Sequence, residues 1–241
     1  MTLISTDLVD GIDERRYFFT EHRLGPGDQL FSAATGGFRT FLVVGGSVNM
    51  DGRSFVRLQG WHVAPDGECV VRNNESEAAR VLEAGAYGGT QAAATQATRE
   101  ISGYTVSKPW GEETWYTHNL AEPRYALKRI HMRAGNQSSL QSHVHKVETN
   151  YVIEGRATVL GGSPAPPNPG AAIDLSTLGI TRYIAGTGWT SPATILHRVI
   201  AEEEYTAIEV STPELDDVIR WADDTGRCHG RIASEHLGGT A

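Results

Sequence analysis

Two cysteines in 241 residues, Cys69 and Cys228, are far too few and too widely spaced for a disulfide framework or a cysteine metal knuckle. That scarcity points to free thiols in a reducing, cytoplasmic setting. No apolar run approaches the roughly 20 residues needed to span a bilayer, and the opening MTLISTDLVDGIDERR lacks the basic-then-apolar order of a secretory leader. Lysine and arginine never gather into a stripe, and the formal net charge is -8, so neither a nucleic-acid partner nor a membrane surface is expected. Helical periodicity is also scarce.

The chain does contain 27 glycines and 10 prolines punctuating short runs rich in β-branched and aromatic residues: FRTFLVVGG, SFVRLQG, YALKRIHM, NYVIEG, ATVLGG and YTAIEVS. Short strands at close spacing, separated by glycine turns, predict an all-β sandwich or barrel. The small-residue stretch from 88 to 103 reads as a linker, with AAATQATRE (92–100) a candidate short helix. The tail from 228 to 241 has no pattern and is expected to be mobile. Either side of the linker the text runs to one plan of strand, Gly turn, strand, Pro turn, strand. The expectation is a tandem duplication: residues 1–87 as one barrel and 104–227 as a second.

Chemistry concentrates in GNQSSLQSHVHKVETNYVIEG, from Gly135 to Gly155. Gln141 follows Gly135 after five residues, Glu148 follows His143 after four, and Gly155 follows Glu148 after six. Residues two apart on a strand share a face, so Gln141 and His143 can both point inward, and a return strand can bring Glu148 beside them. Later, Gly186, Pro192 and His197 stand in GTGWTSPATILH. These intervals are the two motifs of the cupin family, with Gln141 where histidine is usual, Thr194 for a glycine and Ala201 for an asparagine. Gln141, His143, Glu148 and His197 are the expected ligands of one divalent ion, and imidazole, amide and carboxylate donors suit Zn²⁺, Mn²⁺ or Fe²⁺. An alternative register using His143-x-His145 breaks the spacing, so three roles stay open to His145: ligand, catalytic base or rim residue.

In the first half Gly60, Pro65, Gly67 and Asn73 repeat the second motif, but Val70 takes the histidine position. That half is expected to be a degenerate, metal-free barrel, with His62 a bystander. The fold expected is therefore a tandem double-stranded β-helix, or bicupin.

Within 104–227, the segments SKPWGEETWYT, YALKRIHMRAGNQSSLQSHVHKVETNYVIEGRA, LHRV and AIEVSTPELDDVIRWADDTGR resemble the cupin domain of type II mannose-6-phosphate isomerases. Departures are a Pro-rich loop over 162–170 and Thr225 in place of a tyrosine. The resemblance implies a divalent metal, a sugar phosphate and aldose–ketose isomerisation through a cis-enediol. Lys128 and His145 are then the candidate bases, and Arg227 the candidate partner of substrate charge. Lys128 and Arg129 alternate on one strand, so only one can face inward. A non-haem iron oxygenase and a non-catalytic sugar-binding module are the competing readings, and a homodimer through sheet edges is the expected assembly.

Overall fold

The computed structural model describes residues 3–12, 16–88, 97–121, 123–168 and 171–232. The middle of the expected linker, the tail beyond 232 and the end of the Pro-rich loop lie outside the described residues. Of the short helix expected over 92–100, residues 92–96 lie outside them too, and Arg99–Glu100 is instead a strand paired with Gly60–Val63. Among the described residues the only helical element is a 3-10 turn at Leu175–Thr177, and no helix is long and apolar enough to cross a membrane.

Two compact units form. The first is Met1–Gly103 together with Tyr116–Ala126; the second is Tyr104–Trp115 together with Leu127–Ala241. The segment 116–126, assigned from the sequence to the second barrel, thus folds with the first. His62 is one reason. It is fully buried and bridges Thr40 Oγ1 (2.8 Å) and the carbonyl of Tyr116 (3.1 Å), and Tyr125 hydroxyl lies 2.5 Å from the same Thr40.

The duplication is visible in strand order. In the first unit the sheet core runs Phe18–Leu24, Ala79–Gly85, Arg39–Gly45, Gly60–Val63, and a second sheet runs Gln29–Ser32, Cys69–Arg72, Ser47–Met50, Arg53–Val56. In the second unit Ala126–Met132, Tyr205–Ser211, Glu148–Glu154 and Gly188–Ser191 take the same order, and so do Leu140–His143, Ile195–Ala201, Arg156–Pro164 and Gly179–Ile184. Within each unit the two sheets face each other across one core. This is a tandem double-stranded β-helix.

What fills each interior differs. In the first unit Phe41, Val43, Trp61, Val63 and Val81 of one sheet meet Leu30, Val48, Met50, Cys69 and Val71 of the other, an apolar core. Val70, which spacing puts at the histidine position, alternates away from that core, because its neighbours Cys69 and Val71 point in. At one end of this core Arg39, fully buried, donates to Ser32 Oγ, Ala33 O and Gly67 O, and Ser32 in turn donates to Glu83 (2.7 Å). A fixed guanidinium there supplies positive charge of its own.

In the second unit, Met132, Val152, Ala157, Trp189 and Ala207 belong to an apolar cluster, and His143, Lys146, Glu148, Asn150 and Glu209 are buried in the same unit. The turn closing its central hairpin depends on Gly155. Its φ is +75°, and a Cβ there would lie 1.8 Å from the carbonyl oxygen of Glu204. The left-handed conformation alone costs a non-glycine residue about 1–2 kcal/mol, and the overlap adds to it. Gly155→Ala should therefore lower stability by at least about 2 kcal/mol, read as a fall in melting temperature. An unchanged melting temperature would show that the turn is not required.

Candidate metal centre

The short strand Leu140–His143 sorts its residues by alternation. Leu140 enters an apolar cluster with Leu196 and Trp221, and Ser142 Oγ accepts the Trp221 indole N–H at 2.9 Å. That anchors one face and turns Gln141 and His143 to the other. Gln141 pairs directly across the ladder with His197 on Ile195–Ala201, and the facing sheet contributes Glu148 at the start of Glu148–Glu154. Thr194, standing where the motif has glycine, takes a left-handed φ of 66° and donates its N–H to the His143 carbonyl (2.6 Å). The turn geometry survives the loss of glycine.

His143, Glu148 and His197 are all buried, and their ligating atoms lie within 4.8 Å of one another. His143 Nε2 is 3.4 Å from Glu148 Oε2, and His197 Nε2 is 3.2 Å from Glu148 Oε1. Neither ring nitrogen of His143 has a hydrogen-bond partner. A buried polar atom is rarely left so, and a metal ion would satisfy it. Burial first, and then the neighbouring Lys146 charge, push the His143 pKa down to about 4, so the ring is neutral. His197 Nδ1 donates to Ile195 O at 3.2 Å, which leaves the Nε2 lone pair facing Glu148. Burial alone would raise the Glu148 pKa, but Lys146 and His197 hold it well below the usual range. Two imidazoles and one carboxylate are a donor set that fits a divalent ion of the Zn²⁺, Mn²⁺ or Fe²⁺ class. Gln141 stands alongside, with Nε2 3.3 Å from His197 Nε2, so a half-turn of its amide would offer an oxygen as a fourth donor.

The cluster borders a cavity of about 70 Å³ whose wall carries three lysines and two further glutamates. Lys146 Nζ bridges Glu148 (2.6 Å) and Glu209 (2.9 Å). Lys128 bridges Glu209 (3.2 Å) and Glu113 (2.9 Å), and Lys108 reaches Glu113 at 3.4 Å. Charges thus alternate along a buried line leading away from the ligands. Burial favours neutral Lys128, yet Glu113 and Glu209 outweigh it and raise its pKa, so it stays protonated. For Glu113, burial is likewise outweighed by Lys128 and Lys108, and its pKa is lowered.

The other sequence-derived residues fall out differently. Lys128 is the inward member of its pair, while Arg129 turns to Glu112 at 2.5 Å. Arg227 lines the cavity, but Asp223 grips its guanidinium through Nε (3.0 Å) and Nη2 (2.6 Å). His145 is exposed and absent from the cavity wall, because the strand ends at His143 and the chain bends before it. Its backbone N–H is taken by Asp217. Lys146, one residue on, is the buried group, and neither it nor Glu113 or Glu209 was found from spacing. The available signal was a charged residue inside an otherwise apolar strand, as Glu209 is in YTAIEVS.

Residues 96–165 match the family model described as mannose-6-phosphate isomerase C-terminal, a stretch that contains Lys128, Gln141, His143, Lys146 and Glu148. No curated protein matches the chain. Among solved structures, protein YlbA from E. coli superposes with a TM-score of 0.65 at 10% identity, covering 88% of this chain and 83% of its own. Oxalate decarboxylase of Lactobacillus farciminis gives 0.59 at 11%, covering 85% and 79%. Procruciferin, the 11S globulin of Brassica napus, gives 0.61 at 10%, also covering 85% and 79%. The repeated strand order and these likenesses show a tandem cupin fold, and the second barrel carries a segment similar to the mannose-6-phosphate isomerase C-terminal family model.

Proposed function

We propose that the second barrel is a metal-dependent isomerase that interconverts an aldose and a ketose bearing a phosphate or similar acidic group, through a cis-enediol. The observation that carries this reading is the meeting of a buried His143–Glu148–His197 cluster with fixed ammonium groups on one cavity wall, inside a segment of isomerase type. A divalent ion held by His143, Glu148 and His197, with Gln141 beside it, supplies Lewis-acid polarisation of a substrate carbonyl.

The chain's own residues supply the rest. Lys128, held protonated by Glu113 and Glu209, is a fixed positive charge for a developing oxyanion and is excluded as the base. The acceptor for the carbon-bound proton is then a wall carboxylate. Glu209 is one ammonium away from Glu148 of the candidate metal cluster, through Lys146, whereas Glu113 is a further lysine out, so Glu209 is the group we assign. Lys146 and Lys128 each hold one of its oxygens, fixing its orientation, and it would take the proton from one carbon and return it to the next. Arg227 and Lys108 lie on the same wall and suit an acidic group at the far end of the substrate.

The test is proton exchange. Full-length protein loaded in turn with Mn²⁺, Zn²⁺ or Fe²⁺ is incubated with mannose 6-phosphate in D₂O and followed by proton NMR. Fructose 6-phosphate carrying deuterium at C1, lost on chelation, is the expected result. No fructose 6-phosphate with any of the three metals overturns the reading. Oxygen uptake by the Fe²⁺ form without exchange would favour an oxygenase instead.

A further inference from the structure

Besides the ring nitrogens of His143, the cavity wall carries polar atoms on Tyr205 and Asn150 with no hydrogen-bond partner within the protein. The hydroxyl of Tyr205 and the side-chain oxygen of Asn150 are both buried and both lack a hydrogen bond, although their residues are 1% and 2% exposed. Both residues line the cavity that holds the ligand cluster. Their placement follows from register. On Glu148–Glu154 the inward positions are Glu148, Asn150 and Val152; on the adjacent Tyr205–Ser211 they are Glu209, Ala207 and Tyr205, with Asn150 opposite Glu209 and Val152 opposite Ala207. Going away from the ligands, the wall therefore passes from Glu148 to Asn150 and Glu209, then to the small Ala207, and ends at Tyr205. Asn150 already faces its amide nitrogen towards Glu148 Oε1 (3.4 Å), which leaves its oxygen for something else. A phenol buried beside acidic groups keeps its proton: burial first, and Glu209 and Glu148 next, raise the Tyr205 pKa well above the ordinary value. It is available as a donor to a neutral or anionic oxygen.

Unpaired buried polar atoms in a folded core are uncommon and costly, and here two of them share one cavity with the ligand cluster. We infer that Tyr205 and Asn150 are specificity-determining residues of this cavity, donating to and accepting from hydroxyl groups of a polyhydroxylated substrate whose reacting end lies at His143, Glu148 and His197. This rests on the reading above that the cavity binds such a substrate, but not on the direction or existence of turnover.

The experiment compares metal-loaded wild type with Tyr205→Phe and Asn150→Leu in three readouts: bound metal, melting temperature without ligand, and the dissociation constant for mannose 6-phosphate by calorimetry, with turnover measured alongside. Tyr205→Phe removes one oxygen and keeps the ring, so full metal content and an unchanged or raised melting temperature are expected, together with about 10-fold weaker binding. Asn150→Leu should weaken binding similarly. Unchanged affinity in both variants while the wild type turns over sugar phosphate would overturn this inference and leave the isomerase reading standing. Wild-type binding without turnover, weakened by Tyr205→Phe, would support the inference and overturn the isomerase. No binding by the wild type would overturn both. A lowered melting temperature in Tyr205→Phe would show that the hydroxyl serves the fold, and would overturn the inference as well.

Discussion

Replacing His143 and His197 together by alanine is expected to strip the protein of its divalent ion while leaving it folded. Both rings point into the cavity, whereas the residues that hold their strands, Leu140, Ser142, Leu196 and Trp221, pack on the opposite face. The carboxylate between them is not orphaned by the change. Glu148 keeps Lys146 at 2.6 Å, so the variant buries no unpaired charge. The loss falls on the metal instead. Even the outer partners of metal ligands are worth about 10- to 100-fold in affinity, and removing two of three first ligands exceeds that. Wild-type protein purified without added metal should carry about one equivalent of Zn, Mn or Fe by elemental analysis, and the double variant none. A linked measurement separates ligation from damage. An ion that binds only the folded state raises stability by about 2.7 kcal/mol at a concentration 100 times its dissociation constant. The wild-type melting temperature should therefore climb with added metal while the variant's stays flat. One equivalent retained in the variant would remove these histidines from the site.

The candidate metal cluster was legible because strand geometry turns side-chain proximity into sequence spacing. Gln141, His143, Glu148 and His197 come together as the intervals require. The same logic left His145 open as ligand, base or rim residue, and the structure puts it outside the cavity wall. Alternation holds only while the strand lasts, and this one ends at His143. The fold was legible for a related reason: glycine and proline turns recur in both halves, and strand order repeats with them. The alternating lysines and glutamates were not legible. Glu113, Lys128 and Glu209 sit on three different strands that become neighbours only through sheet order, and no spacing records which strand lies next to which. Tyr205 and Asn150 were hidden for another reason. In the sequence each looks like an ordinary strand residue, and only the absence of a partner in three dimensions distinguishes them. The segment 116–126 was assigned by continuity with its flanks. Its own hydrogen bonds, through Tyr116 and Tyr125, go to the first unit.

Lys128→Met should cost about 3–5 kcal/mol of stability. Lys128 is buried between Glu113 and Glu209, and its ammonium also lies 4.9 Å from the Trp115 ring centroid. The buried group comprises Lys108, Lys128 and Lys146 against Glu113, Glu148 and Glu209, three positive charges and three negative. Methionine keeps the volume and removes one positive charge, leaving the group with a net negative charge out of reach of water. Removing one partner of a buried pair typically costs about 3–5 kcal/mol, a drop of roughly 10–20 °C in melting temperature for a unit of this size. Adding Glu113→Gln to Lys128→Met restores neutrality and should recover part of the loss, a coupling of about 0.5–3 kcal/mol between contacting sites. Two simple additive losses would show that the pair does not interact. The pH dependence carries a sign of its own. Glu113 has its pKa depressed from the ordinary 4.5, so its contribution is present above that value and fades as pH falls through the lower folded-state value. Lys128 has its pKa raised from 10.5, so its contribution is present below that value and fades only as pH rises through the higher folded one. The gap between wild type and Lys128→Met should therefore be flat from about pH 5 to 10 and narrow in acid, because a protonated Glu113 no longer needs the ammonium. A gap that instead stayed constant in acid would mean that Lys128 stabilises the barrel by packing along its alkyl chain and not by its charge.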